Sequence, residues 1–182
     1  PGEPPLCIAI NLSPRQFRHK NLANSIRAIL AETGQPARLL ELEITETTLA
    51  HDIDATRARL AELATLGVRL AIDDFGIGYS SLGQLTRLPV QGLKIDREFI
   101  SGVTTDASTA LVTEAIIAMA KRLKLRVVAE GVETHQQLEF LKANFCDAFQ
   151  GYHFSQPITA LEATAMLRAQ GAPLGNDEAS VA

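Results

Sequence analysis

The sequence lacks the features that mark several large classes of protein. It has no tryptophan and only two cysteines among 182 residues, so neither a disulfide framework nor a cysteine metal site is expected. Its 17 basic and 21 acidic residues give a net charge of −4, without the basic patch that nucleic-acid polymers or anionic membranes attract. It also contains no signal peptide and no apolar run as long as a membrane span. These absences predict a cytoplasmic globular protein without direct contact with a nucleic-acid polymer or a membrane, although a longer parent protein could carry a membrane anchor.

The sequence does contain a repeated pattern. Short apolar runs recur, each with a polar residue at its exit and an amphipathic stretch after it. The exit residues are Asn11, Glu43, Asp73 with Asp74, Lys94, Glu130 and Gln150. Such a run with its amphipathic stretch is typical of a βα unit. When βα units repeat, the exits of all strands lie on one face of a parallel sheet or barrel, where α/β enzymes build active sites.

The number of units predicts the type of α/β fold. Eight units of a TIM-like barrel need roughly 250 residues, and this chain has about six of them. A doubly wound open sheet is the alternative, but no glycine-rich phosphate loop follows the first strand, and the exit residues are spread over all six strands. We therefore predict a modified TIM-like (β/α)8 barrel, here about six units, over residues 1–171, with a disordered tail at 172–182. The longest predicted helix, from about Asp106 to Leu123, should turn Leu111, Ala115, Ile116, Met119 and Leu123 toward the sheet.

The chemistry of the exit residues indicates a metal site. Carboxylate and amide oxygens without histidine or cysteine favour Mg²⁺ or Mn²⁺ over zinc. The adjacent carboxylates of Asp73 and Asp74 repel each other unless a cation lies between them. Two such ions a few Å apart can clamp a phosphodiester, and Lys94 would add a fixed positive charge where negative charge develops.

Six sequence motifs, in the same order along the chain, resemble those of EAL domains. They are NLSPRQF (Asn11–Phe17), ELEITE (Glu41–Glu46), DDFGIGYSSL (Asp73–Leu82), KIDR (Lys94–Arg97), VAEGVET (Val128–Thr134) and QGY (Gln150–Tyr152). EAL domains are bacterial phosphodiesterases that hydrolyse the second messenger cyclic di-GMP to linear pGpG. The resemblance implies a signalling phosphodiesterase with two Mg²⁺ or Mn²⁺ ions at the carboxyl ends of its barrel strands.

The resemblance also implies a role for each exit residue. The implied metal ligands are Asn11, Glu43, Asp73, Asp74 and Glu130. Glu130 is also implied as a catalytic base, Lys94 as a catalytic residue that binds substrate, and Gln150 as a second substrate-binding residue. Glu46 would anchor the loop Phe75–Ser81 and Glu133 would support the site, although each also fits an ordinary carboxylate near the start of a helix.

The sequence departs from the family pattern at its beginning. The Glu-Ala-Leu motif itself, which supplies a further ligand, does not occur before Asn11. Because the chain also begins at Pro1 without methionine, we expect a longer parent with the missing strands and a sensory or GGDEF-type domain. On its own the chain should be weakly active or inactive, and its open sheet edges favour a homodimer. The alternative function is a non-catalytic module with an EAL-like fold that binds cyclic di-GMP or a protein partner.

Overall fold

The computed structural model describes residues 6–49, 52–77 and 82–170, and the predicted tail at 172–182 lies outside these ranges. Within them, six parallel strands form one sheet. The strands are β1 (Ile8–Asn11), β2 (Leu40–Thr45), β3 (Arg69–Phe75), β4 (Gly92–Ile95), β5 (Arg126–Ala129) and β6 (Ala148–Phe149). The helices are α1 (Pro14–Phe17), α2 (Leu22–Thr33), α3 (Glu46–Leu49), α4 (Ile53–Ala64), α5 (Leu82–Leu85), α6 (Arg97–Ser101), α7 (Ala107–Arg122), α8 (His135–Ala143) and α9 (Ala160–Gln170).

The strand order distinguishes the two predicted architectures. The strands lie side by side in strict chain order, from β1 to β6, whereas a doubly wound sheet reverses its order at a switch point. The sheet is therefore a half-barrel, and the prediction of a TIM-like fold with about six βα units is confirmed. Because all pairs are parallel and Asn11 lies opposite Glu43 in the register of β1 and β2, the strand exits meet at one edge.

The first strand is much more exposed than the inner strands of the sheet. The inner strands β2 to β5 are largely buried, as expected for parallel strands covered on both faces. All four residues of β1 are exposed, including Ile8 and Ile10. An apolar cavity of about 350 Å³ opens beside Ile10 and Ile26, between β1 and α2. The first strand thus presents an unpaired apolar edge within the described part of the chain.

Local sequence signals fix the ends of several helices. Gly34 ends α2 in the left-handed conformation with φ of 69°, which glycine adopts without steric cost. Asp106 caps α7 by accepting hydrogen bonds from the backbone N–H groups of Ser108 and Thr109. Thr134 and Gln137 form a reciprocal capping box at the start of α8. These local signals fix the residue at which α2 ends and the residues at which α7 and α8 begin.

The buried face of α7 agrees with the predicted one only in part, because Ile116, Met119 and Leu123 pack partly buried against the core but two other predicted residues do not. Leu111 is 66% exposed and Ala115 is exposed, whereas Thr113, Ile117 and Ala120 are buried. Thr113 tolerates burial because its hydroxyl donates to Thr109 O at 2.8 Å. The helix carries apolar residues on more than one face, so spacing alone could not select the face that packs on the sheet.

The helices also bear on the membrane question. None of those in the described ranges is both long enough and apolar enough to cross a bilayer.

Candidate functional site

The centre of the site is the ammonium group of Lys94 on β4. Its Nζ lies 2.8 Å from Glu43 Oε2, 3.1 Å from Asp73 Oδ1 and 2.6 Å from Glu130 Oε1. These carboxylates come from the exits of three other strands, β2, β3 and β5. The Lys94 side chain is only 7% exposed. One buried cation therefore bridges acidic groups from the strands on both sides of it.

Burial and charge set the protonation of these groups. Burial raises the pKa of Glu43 and of Glu130, and although Lys94 opposes it, both pKa values stay above the ordinary value. Burial alone would lower the pKa of Lys94, but its hydrogen bonds to Glu130 and Glu43 outweigh that effect and the pKa is raised. Lys94 therefore remains positively charged at neutral pH, while the buried carboxyl groups hold protons more strongly than exposed ones.

A break in the regularity of β3 turns two consecutive carboxylates to the same side. Successive side chains of a regular strand point to opposite faces, but the register between β3 and β4 shifts between Ile72 and Phe75. Within this bulge Asp74 takes φ of 52°, a left-handed conformation that aspartate adopts more readily than most residues. As a result, carboxylate oxygens of Asp73, Asp74 and Glu130 lie within 4.8 Å of one another. With Glu43, these residues are called the carboxylate cluster below.

The donor set fits a hard divalent cation. Asp73 Oδ1 is buried and accepts no hydrogen bond, because its 3.1 Å contact with Lys94 Nζ is an ion pair without hydrogen-bond geometry. A buried carboxylate oxygen without a hydrogen-bond donor is costly, and Lys94 offsets this cost only in part because its single charge is shared with Glu43 and Glu130. The cluster sets four carboxylates against one ammonium group, and its ligand atoms are all oxygen, the type that Mg²⁺, Mn²⁺ and Ca²⁺ prefer.

Asn11 lies beside the cluster, at the end of β1. With its amide nitrogen facing the acidic groups, Asn11 donates to Asp73 Oδ2 at 2.9 Å and to Glu43 Oε2 at 3.3 Å. The opposite orientation would set the amide oxygen against two carboxylates, which a cation between them would favour. The amide can thus donate to the carboxylates of a metal-free cluster or turn its oxygen toward a bound cation.

Asp96 is a member of this region that the sequence analysis did not single out. Burial raises the pKa of Asp74, and the charges of Asp73 and Asp96 with a hydrogen bond between Asp74 and Asp96 raise it further. Asp96 also accepts a hydrogen bond from Glu98 N at 2.7 Å, as the cap of α6. Its position two residues after Lys94, at the same strand exit, was the available signal, but the capping role alone explains an aspartate there.

Glu46 lies under the start of the glycine-containing loop. Its buried carboxylate accepts a hydrogen bond from Gly76 N at 2.9 Å. Gly76 has φ of 109°, and a Cβ at this position would come 2.4 Å from the ring of Phe99. The residue that follows β3 is therefore held between a carboxylate and an aromatic ring, while residues 78–81 of the predicted loop lie outside the described ranges.

The last two predicted site residues border the cluster without joining it. Gln150, with Glu130 and Glu133, lines a cavity of about 260 Å³. The Glu133 carboxylate pairs with Arg97 Nη2 at 3.1 Å and is half-exposed. The structure thus brings together six of the predicted residues, Asn11, Glu43, Asp73, Asp74, Lys94 and Glu130, with Glu46, Glu133 and Gln150 around them.

A barrel-type fold with acidic and amide side chains gathered at the carboxyl ends of its strands defines an α/β protein with a cluster of oxygen donors suited to a hard cation. The family model described as "EAL domain" matches residues 2–157. The chain belongs to the EAL domain family, and the resemblance seen in the sequence motifs is confirmed.

Named relatives support the same assignment. The cyclic di-GMP phosphodiesterase NbdA of Pseudomonas aeruginosa is 46% identical over 168 residues, which are 92% of this chain and 22% of that protein. The solved structure of PaMucR phosphodiesterase in complex with c-di-GMP is 44% identical with a TM-score of 0.84, over 86% of this chain and 64% of that one. The manganese and c-di-GMP complex of Klebsiella pneumoniae BlrP1 is 33% identical with a TM-score of 0.77, over 83% and 39% respectively. The chain spans about a fifth of the length of the first curated relatives it matches.

Proposed function

We propose that this domain is a metal-dependent phosphodiesterase that hydrolyses cyclic di-GMP to linear pGpG. The observation that carries the proposal is the carboxylate cluster around Lys94, with its bulged Asp73-Asp74 pair. A purely structural role does not explain four carboxylates against one ammonium group, because the excess negative charge lowers stability unless a further cation binds. Two relatives named as cyclic di-GMP phosphodiesterases, at 46% identity, support the choice of substrate.

The cofactor belongs to the same proposal: two Mg²⁺ or Mn²⁺ ions. Asn11, Glu43 and Asp73 would hold one ion, and Asp73 with Asp74 the other, with Glu130 as a further ligand. Bound ions of this kind acidify water and neutralise charge on phosphoryl oxygens.

The protein's own residues perform the remaining steps. Lys94 contributes a positive charge that no change near neutral pH removes, and it attracts a phosphate oxygen of the substrate. Burial raises the pKa of Glu130, so this carboxylate holds a proton more strongly than an exposed one, which suits a group that accepts a proton from water. Gln150 borders the same cavity as Glu130 and can donate to or accept from the bound nucleotide.

A turnover assay with Mn²⁺ tests this function. Cyclic di-GMP is incubated with the chain, with a version extended upstream, and with Glu130→Gln in each. Glu139→Gln is the matched control, because Glu139 lies in an exposed ion pair with Lys142. We expect pGpG from the extended protein and its control, none from Glu130→Gln, and little from the chain alone. Binding without turnover in the extended protein would instead support the non-catalytic module, and absence of both would refute the two functions together.

The remaining expectations concern the assembly and the cell. We infer a homodimer, supported by the exposed apolar edge of β1, and a sensory or GGDEF-type domain in a longer parent. A cytoplasmic location stays a prediction. Light scattering after size exclusion tests the dimer, and a mass equal to one chain over the working concentration range would rule it out.

A further inference from the structure

Next to the carboxylate cluster lies a cavity whose bound group the proposed reaction does not specify. It has a volume of about 260 Å³, and Arg97, Glu130, Glu133, Gln150 and Tyr152 contribute to its lining. Glu130 belongs both to this cavity and to the cluster around Lys94. A nucleotide whose phosphate binds at the cluster can therefore place its base in the cavity.

The wall of the cavity is held by backbone contacts. Val132 N donates to Gln150 O at 3.0 Å, and His153 N donates to Val132 O at 2.9 Å. Gly151 lies between these two bonds, and a Cβ there would come 2.2 Å from Val132 O. The segment with Gln150 and Tyr152 is thus fixed against the chain that follows β5, which keeps the shape of the cavity constant.

Arg97 is fixed on the opposite side by two contacts. Its aliphatic stem crosses Gly131 so closely that a Cβ on Gly131 would come 2.5 Å from Arg97 Cγ. Its guanidinium meets Glu133 at 3.1 Å through Nη2, and a guanidinium has five N–H donors. Since the Arg97 side chain is 65% exposed, donors remain for a ligand.

The charges in the cavity exclude a phosphate and favour a neutral base. Arg97 faces two carboxylates, Glu130 and Glu133, so a phosphate there would meet more negative than positive charge. Tyr152 presents an exposed aromatic ring at the same place, and such rings stack on planar bases. A planar fork of donors next to an aromatic ring is suited to the edge of a purine.

We propose that Arg97 recognises a guanine base of the nucleotide through its O6 and N7 atoms, with Glu133 as the residue that positions Arg97. This inference rests on the proposed cyclic di-GMP phosphodiesterase function. Guanine presents two acceptors on that edge, which match a guanidinium, whereas adenine presents a donor at N6 in place of O6. Arg97 is therefore a specificity-determining residue, and its contribution depends on the base rather than on the phosphates.

Calorimetric binding in Ca²⁺, a hard cation that oxygen ligands also bind, separates this role from a general one. The full protein is titrated with cyclic di-GMP, cyclic di-IMP and cyclic di-AMP, and compared with Arg97→Lys, which keeps the charge but loses the fork. We expect Kd to rise about 10- to 100-fold for both nucleotides that carry O6, and less than about threefold for cyclic di-AMP. Glu133→Gln should weaken cyclic di-GMP binding in the same base-dependent way, while Glu133→Asp, which keeps the carboxylate, should restore most of it.

Arg57→Lys is the matched control, since Arg57 forms an exposed ion pair with Asp54 at 3.4 Å. It should leave all three affinities unchanged, and equal melting temperatures would show that each variant is folded. An equal loss for all three nucleotides in Arg97→Lys, or no loss at all, would overturn the role of Arg97 while leaving the phosphodiesterase function intact. A wild-type protein that binds none of the nucleotides would overturn the proposed function and this inference with it.

Discussion

Replacing Asp74 by asparagine should stabilise the metal-free protein while abolishing its response to metal. Asp74 lies within 4.8 Å of Asp73 and Glu130, and two full charges at that distance repel by about 3 kcal/mol at an effective dielectric constant of about 20. Attraction to Lys94 offsets part of this repulsion, so its relief should be worth on the order of 1 kcal/mol. Asparagine also tolerates the left-handed backbone at this position as well as aspartate does.

The expected change in melting temperature has opposite signs without and with metal. For a domain of this size, about 1 kcal/mol raises Tm by about 2–4 °C in a chelator. In the wild type, Mn²⁺ at about 100 times its Kd adds about 2.7 kcal/mol and raises Tm by about 5–10 °C. Asp74→Asn removes a ligand and should lose most of that increase, together with hydrolysis of cyclic di-GMP.

Differential scanning calorimetry with EDTA or Mn²⁺ measures both changes. Asp54→Asn is the control, since it removes the same charge from an exposed pair with Arg57. It should change the free energy of unfolding by no more than about 0.5 kcal/mol, both in EDTA and in Mn²⁺. Our reasoning would be refuted if Asp74→Asn destabilised the metal-free protein, or if it kept the wild-type increase in Mn²⁺.

Three further predictions follow from the site. Lys94→Met leaves buried carboxylates without their cation, so Tm in EDTA should fall by about 10 °C. The exposed control Lys142→Met should leave Tm unchanged. Equal melting temperatures of the two variants would contradict the ion-pair network. The three cluster carboxyl groups with raised pKa contribute stability that is present below their ordinary values and lost as pH rises through the raised ones. Tm in EDTA should therefore increase as pH falls from neutral toward those ordinary values, while the Mn²⁺ increase shrinks. A Mn²⁺ increase independent of pH would argue against proton release on binding. Gly76→Ala should lose at least about 2 kcal/mol by chemical denaturation because its Cβ meets an aromatic ring at 2.4 Å, whereas Gly83→Ala, with open space around its Cβ, should not.

The exits of the strands were predictable from the regular recurrence of short apolar runs and from the polar residue at the end of each run. Each of Asn11, Glu43 and Lys94 follows or ends a short apolar run, and parallel strands bring such positions to one edge whatever the details of packing. The register of β1 with β2 places Asn11 opposite Glu43, as that argument requires.

Other features depend on contacts that the sequence does not show. The left-handed backbone of Asp74 and the bulge around it arise from the fit of β3 to β4, and neither follows from the order of residues. The buried face of α7 depends on which of several apolar stripes meets the sheet, so Leu111 was placed inward although it is exposed. Asp96 was missed because an aspartate before a helix already has a common explanation as a cap.

The irregular turn in β3 has a consequence for protein engineering. If the acidic residues were copied onto an idealised barrel with regular strands, the side chains of Asp73 and Asp74 would point in opposite directions, one into the barrel and one into the helix layer. The site can be built into another barrel only together with the extra residue of β3. This residue causes the register shift between Ile72 and Phe75, so a design must include that shift as well as the acidic side chains. Conversely, deleting a single residue from this stretch should separate the members of the carboxylate cluster although carboxylate and amide residues remain in the sequence.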